Sequence, residues 1–254
     1  MSNPAEASMV KVAKDTFLKW LQRNTDSGNF TDFTIACGNL DWKVHRIVIC
    51  SHSDYFQRLE GFEVPNELSS FWQEESPAVV AKLVNYLYTC DYDDCILDFS
   101  GHDSEDNNAN GSEEASNEDS RERSKSQAFM PGKLALHARM YVVGDMYRVD
   151  QLKLLAQAKF SAALVNCWDK EDFPEIIRFI YDNTVSSDRG LRESLVPVLL
   201  QQKDKLRADG AFMNVVETYG EFAEDFVSAL IGAKHQPQSG YDPPRHPPFK
   251  RRAE

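Results

Sequence analysis

The sequence predicts an α+β fold, in which a small β-sheet with helices packed on it precedes an all-helical region. Two short apolar strands flank a Gly-Asn turn near residue 39, and helical periodicity dominates after residue 133. Strands and helices stand in separate blocks, which is typical of α+β proteins and not of alternating parallel α/β proteins. The 254 residues, 42% of them hydrophobic, suffice for one good-sized core, or for a core with a satellite.

The chain begins with a predicted helix and a β-hairpin. Residues 7–23 carry an apolar stripe of helical spacing, made of Val10, Ala13, Phe17, Trp20 and Leu21. Phe33–Cys37 and Leu40–His45 read as strands, and the dipeptide Gly38-Asn39 between them is favoured in two-residue hairpin turns.

Short helices follow the hairpin. The segments 46–53 and 54–60 each have helical spacing, and Ser53 is the expected N-cap of the second. Residues 67–73 form a weaker candidate for a third strand. Pro77 is expected to open a longer helix that ends near residue 90, since proline is favoured in the first helical turn.

Two further helices are predicted after residue 132. Residues 133–147 are apolar nearly all round, which indicates a helix buried within the fold. Residues 151–164 form an amphipathic helix, and Asp150 is the expected cap at its start.

The rest of the folded chain is predicted to be helical. Asp172 is expected to cap a helix with Glu175 in its first turn, which is close to a capping box. Residues 190–206 form the next helix, which Pro197 should kink or restart. Residues 211–231 add one or two more helices.

Two segments differ from the rest in composition. Residues 98–131 contain nine acidic and three basic side chains, a net charge of −6, and almost no apolar residues. This composition predicts a disordered loop, because such a segment buries too little surface to offset its ordering entropy. Residues 234–254 contain five prolines and a net charge of +3, which predicts an extended basic tail.

The overall composition bounds the class of protein. A net charge of −12 argues against nucleic-acid binding by the chain as a whole. No stretch reaches the roughly 20 apolar residues of a membrane-spanning helix, and the N-terminus has no apolar signal core. The five cysteines are odd in number and scattered among apolar residues, which predicts reduced core thiols. These features predict an intracellular protein, cytoplasmic, nuclear or both.

Several stretches together resemble the BTB/POZ domain. Asp32 stands before the hairpin, and "VHRIVICSHSDYF" (44–56) and "VNYLYTCDY" (84–92) follow in the order that this domain has. The stretch "LHARMYVVGDMYRVDQLKLLAQAKF" (136–160) resembles the last two helices of the domain. The resemblance covers residues 28–164 once the acidic loop is left out. The later helices resemble the C-terminal extension of many fungal proteins of this type.

The resemblance implies a domain organisation and a set of structural residues. It divides the chain into an N-terminal segment 1–27, a domain 28–164 interrupted by the acidic loop 98–131, a helical extension 165–233 and the tail 234–254. The residues that carry the structural motif are His45, Arg46, Ser51, Ser53, Tyr55, Phe56, Tyr88, Tyr92, Tyr141, Asp145 and Tyr147.

The resemblance also implies protein partners. BTB/POZ domains are interaction modules, commonly homodimers or heterodimers with other BTB proteins. The interface candidates here are Val10, Phe17, Trp20 and Leu21, because a preceding helix packs across the dimer in long forms of the domain. Asp32 is a further candidate, although it is best read as a turn or cap acid. The favoured function is a dimerising scaffold or adaptor, and a nuclear, transcription-linked regulator is the alternative.

Some relatives recruit a cullin through a hydrophobic-x-Glu motif after the second short helix. The corresponding stretch here is "GFEVP" (61–65), in which Phe62 is the contact candidate but Val64 stands where glutamate is wanted. Pro65 further biases Val64 towards extended geometry. We therefore expect weak or absent cullin binding.

The sequence predicts no catalytic residue, no metal site and no cofactor. His45, Cys50 and His52 are the nearest approach to a site, but Cys50 does not share the helical face of the two histidines. We interpret His45 as a buried strand-end residue that hydrogen-bonds backbone. Cys90 and Cys95 lack the second ligand pair that a zinc site requires.

Overall fold

The computed structural model describes residues 4–59, 75–95, 132–169 and 172–232. The candidate third strand 67–73, Phe62 with its neighbours, the acidic loop 98–131 and the tail 234–254 lie outside these ranges. The described residues form two strands, β1 (Phe33–Cys37) and β2 (Leu40–Val44). Their helices are α1 (Pro4–Asp26), α2 (Arg46–His52), α3 (Asp54–Leu59), α4 (Pro77–Thr89), α5 (Lys133–Met146), α6 (Asp150–Cys167), α7 (Phe173–Asn183), α8 (Gly190–Arg207), α9 (Gly210–Thr218) and α10 (Gly220–Leu230).

The fold class is α+β, as predicted, and the hairpin forms where the Gly-Asn turn was expected. Strands β1 and β2 are antiparallel, with Cys37 opposite Leu40 and Phe33 opposite Val44. Gly38 has φ of 60°, a left-handed value that glycine adopts without steric cost. Alternate side chains of β1 are buried, so one face of the hairpin covers the core. The second strand ends at Val44 and therefore does not include His45.

Polar side chains begin several of the helices. Ser53 Oγ accepts a hydrogen bond from Phe56 N at 3.1 Å, and Asp172 Oδ1 accepts one from Glu175 N at 3.2 Å. Both caps were predicted, because a serine or aspartate before an apolar periodic segment satisfies amide groups that have no helical partner. The prediction for Asp150 is wrong. Asp150 is the first helical residue, and Val149 precedes it without a side-chain cap.

Helices α5 and α6 form the centre of the molecule. Every side chain of α5 from Leu134 to Val143 is buried, as its apolar composition predicted. Helix α6 turns Leu152, Ala156 and Phe160 towards this core. The two helices pack directly on each other. Helix α5 also contacts α4 and α7, so three helices surround it.

The C-terminal helices build their own aromatic cluster. The Phe222 ring stacks on Phe226 with centroids 6.0 Å apart, and Phe212 meets both rings edge-on. Helix α8 runs unbroken through Pro197, so the predicted restart does not occur. One or two helices were predicted after residue 210, and the structure has two, α9 and α10.

An ionic cluster joins this extension to α5 and α6. Lys153 Nζ lies 2.7 Å from Asp145 Oδ1 and 2.8 Å from Asp188 Oδ2. The Tyr141 hydroxyl also donates to Asp188, and Lys153 Nζ lies 4.8 Å from the centroid of the Tyr141 ring. Asp188 precedes α8, and the other three residues lie on α5 and α6. The cluster therefore fixes the extension on the preceding helices.

Because α5 packs closely on α6, a larger side chain at Gly144 should destabilise the folded protein. A Cβ at Gly144 would lie 2.7 Å from Lys153 N and 3.0 Å from its Cα, and backbone atoms in a packed helix pair cannot move aside cheaply. We expect Gly144→Ala to destabilise the protein by about 1–3 kcal/mol in urea unfolding. Gly210→Ala is the matched control, because nothing lies within 4 Å of its Cβ position. It should be neutral or stabilising by up to about 1 kcal/mol. Equal effects of the two changes would contradict this account of the helix contact.

Candidate interaction surface

Asp32 joins the hairpin to the helix pair. Its Oδ1 accepts a hydrogen bond from Arg46 N at 2.6 Å, so Asp32 supplies the cap at the start of α2 that His45 does not provide. The Arg46 guanidinium lies over the Phe33 ring, 5.2 Å from its centroid. The structure thus places Asp32 as a cap acid. Its role in a dimer interface stays a prediction.

His45 and Tyr88 form a buried polar pair. The His45 backbone N–H donates to the Tyr88 hydroxyl at 2.8 Å, and His45 Nδ1 lies 2.8 Å from the same oxygen. His45 Nε2 lies 3.1 Å from the carbonyl oxygen of Asn29, which only accepts hydrogen bonds. Nε2 therefore carries the proton, and Nδ1 accepts the proton of Tyr88. This pair fixes the end of β2 against α4.

Ser53 and a group of aromatic rings join α2 and α3 to the end of α5. Ser53 Oγ donates to the Tyr147 carbonyl oxygen while it caps α3. The Tyr147 ring stacks on Phe56 at 5.7 Å between centroids, and Tyr55 meets Tyr147 edge-on at 5.6 Å. Burial raises the pKa of the Tyr55 hydroxyl to about 12. Ser51 is exposed, and its hydroxyl donates to the Val48 carbonyl oxygen of its own helix.

Tyr92 anchors the chain after α4. Its hydroxyl lies 2.9 Å from Nδ1 of the buried His137, and Lys159 Nζ lies 4.4 Å from the centroid of its ring. Lys159 also pairs with Asp91 at 2.6 Å. Burial, reinforced by the charge of Lys159, lowers the pKa of His137 to about 4. His137 is therefore neutral at pH 7, and its Nδ1 shares a hydrogen bond with the Tyr92 hydroxyl.

The exposed apolar residues of α1 form the clearest candidate for an interaction surface. The exposed fractions are 59% for Phe17 and 51% for Trp20, and the two rings lie 6.4 Å apart. Met9 and Val12 are 73% and 62% exposed. We call Met9, Val12, Phe17 and Trp20 the α1 surface. The predicted stripe is divided, because Leu21, one helical step beyond Trp20, packs against the core.

Among the described side chains of α1, those that anchor the helix lie in its C-terminal half. Gln22 Nε2 donates to Asn85 Oδ1 on α4 at 3.2 Å, and Leu21 lies against the core nearby. In the N-terminal half, every side chain that the structure describes between residues 8 and 16 is exposed. The side chain of Val10 is not among those described. The described side chains in the first half of α1 therefore face solvent.

The structure does not bring the residues of the metal hypothesis together. His45 is bound to Tyr88 and Asn29, and the His52 ring packs edge-on to Tyr86 at 6.0 Å. Burial lowers the pKa of His52. Within the described ranges, no group of three or more His, Cys, Asp or Glu side chains is placed to hold a metal ion.

The cysteine interpretation is corrected in part. The five cysteines all lie within the described ranges and form no disulfide there. Cys37 is buried in the core, where burial raises the pKa of its thiol. Cys90 and Cys95 are exposed, because they lie at and beyond the end of α4 rather than on its inner face. The prediction of core thiols is therefore wrong for Cys90 and Cys95.

Sequence reasoning missed two features of this region. Asp188 was not singled out, although it meets Tyr141 and Lys153, because a contact over 35 or more positions leaves no local pattern. Met9 and Val12 were also left out of the apolar stripe of α1. Their spacing from Thr16 and Trp20 on the same helical face was the signal that could have identified them.

Among the described residues, no helix has the length and apolarity needed to cross a membrane.

Comparison with known proteins gives the family of this region. A search of curated proteins found no match to the chain. The family model of the BTB/POZ domain matches residues 21–104, which contain the second part of α1, the hairpin and helices α2 to α4. The chain therefore contains a BTB/POZ domain, a module of protein–protein interaction.

Proposed function

We propose that this protein is a self-associating scaffold or adaptor, in which the BTB/POZ domain binds a second BTB/POZ domain through the α1 surface. The observation that carries the proposal is the exposure of Phe17 and Trp20 beside Met9 and Val12. Contiguous exposed apolar side chains on a soluble domain mark an interaction site.

The exposure of the described side chains in the first half of α1 supports the same proposal. A helical segment shorter than about 12–15 residues is marginally stable in water without packing. The N-terminal half of α1 has exposed side chains at every described position from 8 to 16, so its own chain gives it little packing. A second copy would supply the missing contacts. The alternative, in which all of α1 folds back on its own core, is supported only for its anchored half near Leu21 and Gln22.

The helical extension is, on this proposal, a fixed part of the scaffold. Lys153, Asp188 and Tyr141 support this, because their ion pairs and hydrogen bond join α8 to the helices before it. A rigid extension would hold a bound partner at a constant position relative to the dimer. The cullin and nuclear hypotheses rest on Phe62 and on residues 234–254, and both remain predictions.

Self-association can be tested by placing a charge on the α1 surface. We expect light scattering at micromolar concentration to give the mass of a dimer for the wild-type chain. Trp20→Glu should shift the protein towards monomer, because a buried carboxylate without a partner opposes association. Leu154→Glu is the matched control, since Leu154 is 58% exposed on α6, away from α1. It should leave the dimer intact.

Two outcomes would overturn the proposal. One is a wild-type monomer at every accessible concentration. The other is a dimer that Trp20→Glu and Leu154→Glu affect equally, which would place the interface elsewhere. If the wild-type chain is a dimer, mixing it with a second BTB protein of different mass would distinguish homodimers from heterodimers.

A further inference from the structure

A second exposed apolar surface lies at the end of the helical extension. The exposed fractions are 53% for Val227 and 47% for Leu230 on α10, and 73% for Ile231 directly after the helix. We call Val227, Leu230 and Ile231 the α10 surface. Glu224, which is also exposed, precedes Val227 by three positions and therefore lies on the same face of α10. The α10 surface thus combines exposed apolar side chains with a carboxylate at one end.

The helix that carries the α1 surface is cationic. Residues 7–23 contain four basic side chains and one acidic side chain, although the whole chain has a net charge of −12. Lys11, Lys19 and Arg23 are exposed among them. Arg23 follows Trp20 by three positions, which places the two side chains on one face of α1. Two copies of α1 packed against each other would bring like charges together, which is unfavourable at an interface.

The helices around the α10 surface have the opposite charge. Helices α9 and α10 contain four acidic side chains and no basic one. Glu217 and Glu224 are exposed, and the other two carboxylates pair with arginines of α8. The α1 and α10 surfaces therefore complement each other in charge, and both present exposed apolar side chains.

The spacing along the two helices also agrees. Trp20 lies three positions before Arg23, and Val227 lies three positions after Glu224. Each residue advances a helix by about 1.5 Å, so antiparallel helices that pair the arginine with the glutamate also bring the tryptophan opposite the valine. The next turn of each helix supplies a further exposed apolar side chain. The result is one charged pair at the rim of an apolar contact, which is typical of protein interfaces.

We propose that the α1 surface of one copy binds the α10 surface of a second copy, with Arg23 paired to Glu224 at the rim of the contact. The inference rests on the proposed self-association and names the part of the second copy that receives α1. A two-fold axis repeats the contact, so each copy both offers α1 and receives it, and the two BTB/POZ domains are joined through the extension. Helix α10 packs on α8, which the Lys153–Asp188 ion pair fixes to α6. The α10 surface is therefore held in place.

A charge swap tests the assigned pair, with sedimentation equilibrium of the full chain as the measurement. We expect Arg23→Glu and Glu224→Arg each to raise the dimer dissociation constant by about tenfold or more, because each places like charges opposite one another. The double variant restores opposite charges, so its dissociation constant should return to within about threefold of the wild-type value. Lys203→Glu and Asp204→Arg are the matched controls, since they reverse exposed charges of α8 and should leave the dimer unchanged.

The outcomes separate this inference from the proposed function. A wild-type monomer at every accessible concentration would overturn both. A wild-type dimer that Glu224→Arg leaves intact, or that the double variant does not restore, would overturn the assigned contact and leave self-association through α1 standing. Misfolding does not imitate the expected result, because a second substitution would not reverse it.

Salt provides an independent test of the same contact. A contact between opposite charges weakens as salt screens it, so raising sodium chloride from about 50 mM to about 500 mM should raise the dimer dissociation constant by about threefold or more. A contact between two α1 helices would respond in the opposite direction, because salt screens the repulsion of like charges. A dissociation constant that falls with added salt would therefore contradict the assignment.

Methyl NMR identifies what covers the α10 surface. The signals of Val227 and Ile231 should shift as the full chain is diluted through the dimer dissociation constant, and Arg23→Glu should abolish this shift. Signals that dilution does not move would overturn the assignment. A shift caused by Arg251→Glu and Arg252→Glu would then identify the basic tail of the same chain as the occupant.

Discussion

Tyr88→Phe is expected to destabilise the folded protein by about 2–4 kcal/mol, because two buried polar groups lose their partner at once. The Tyr88 hydroxyl accepts from the His45 backbone N–H and donates to His45 Nδ1. Phenylalanine has nearly the same shape, so the change removes the hydroxyl without leaving a large cavity. Urea unfolding followed by circular dichroism would measure the difference in the free energy of unfolding.

The same substitution at an exposed hydroxyl provides the control for Tyr88. The Tyr219 hydroxyl donates to Asp182 at 3.0 Å, and this bond is exposed to solvent. Water can replace it, so Tyr219→Phe should change the free energy of unfolding by less than about 1 kcal/mol. A loss at Tyr88 no greater than at Tyr219 would mean that the His45 pair does not hold the strand against α4.

Acidification is expected to remove about 3 kcal/mol of stability through His137 between pH 7 and pH 4. Burial lowers the pKa of His137 to about 4 in the folded state. The unfolded chain has the ordinary value near 6.5, so it binds a proton in this range that the folded protein does not. The contribution of neutral His137 to the free energy of unfolding is therefore complete above pH 6.5 and is lost as the pH falls towards 4.

His137→Gln isolates this contribution from that of the many carboxylates. Glutamine can form a hydrogen bond with the Tyr92 hydroxyl through its amide group but does not titrate. The free energy of unfolding of the variant should fall less steeply between pH 6.5 and pH 4 than that of the wild type. Parallel curves for the two proteins would show that His137 is not the responsible group.

The elements that the sequence predicted well are those whose causes are local. The hairpin forms at Gly38-Asn39 because a left-handed residue is needed there, and Ser53 and Asp172 cap the helices that follow them. Helix α5 is buried because nearly all of its side chains are apolar. Each of these features depends on residues within a few positions of one another.

The features that the sequence did not reveal depend on distant contacts. Asp150 looked like a cap, but the helix begins one residue earlier than its pattern suggested. Asp32 caps a helix that begins 14 positions later, at Arg46. Arg139 is buried within α5, and only the three-dimensional structure shows that its Nε has no hydrogen-bond acceptor among the described residues.

The continuity of α6 has a practical consequence for dividing the protein into fragments. This helix spans 18 residues, about 27 Å, and crosses the boundary at residue 164 that the sequence suggested for the end of the domain. A fragment cut at that boundary would lose the last turn of α6 and would uncover the apolar sides of α5 and α6 that α7 and α8 shield. Such a fragment would aggregate more readily than the whole chain. Recombinant work should therefore keep residues 132–232 together.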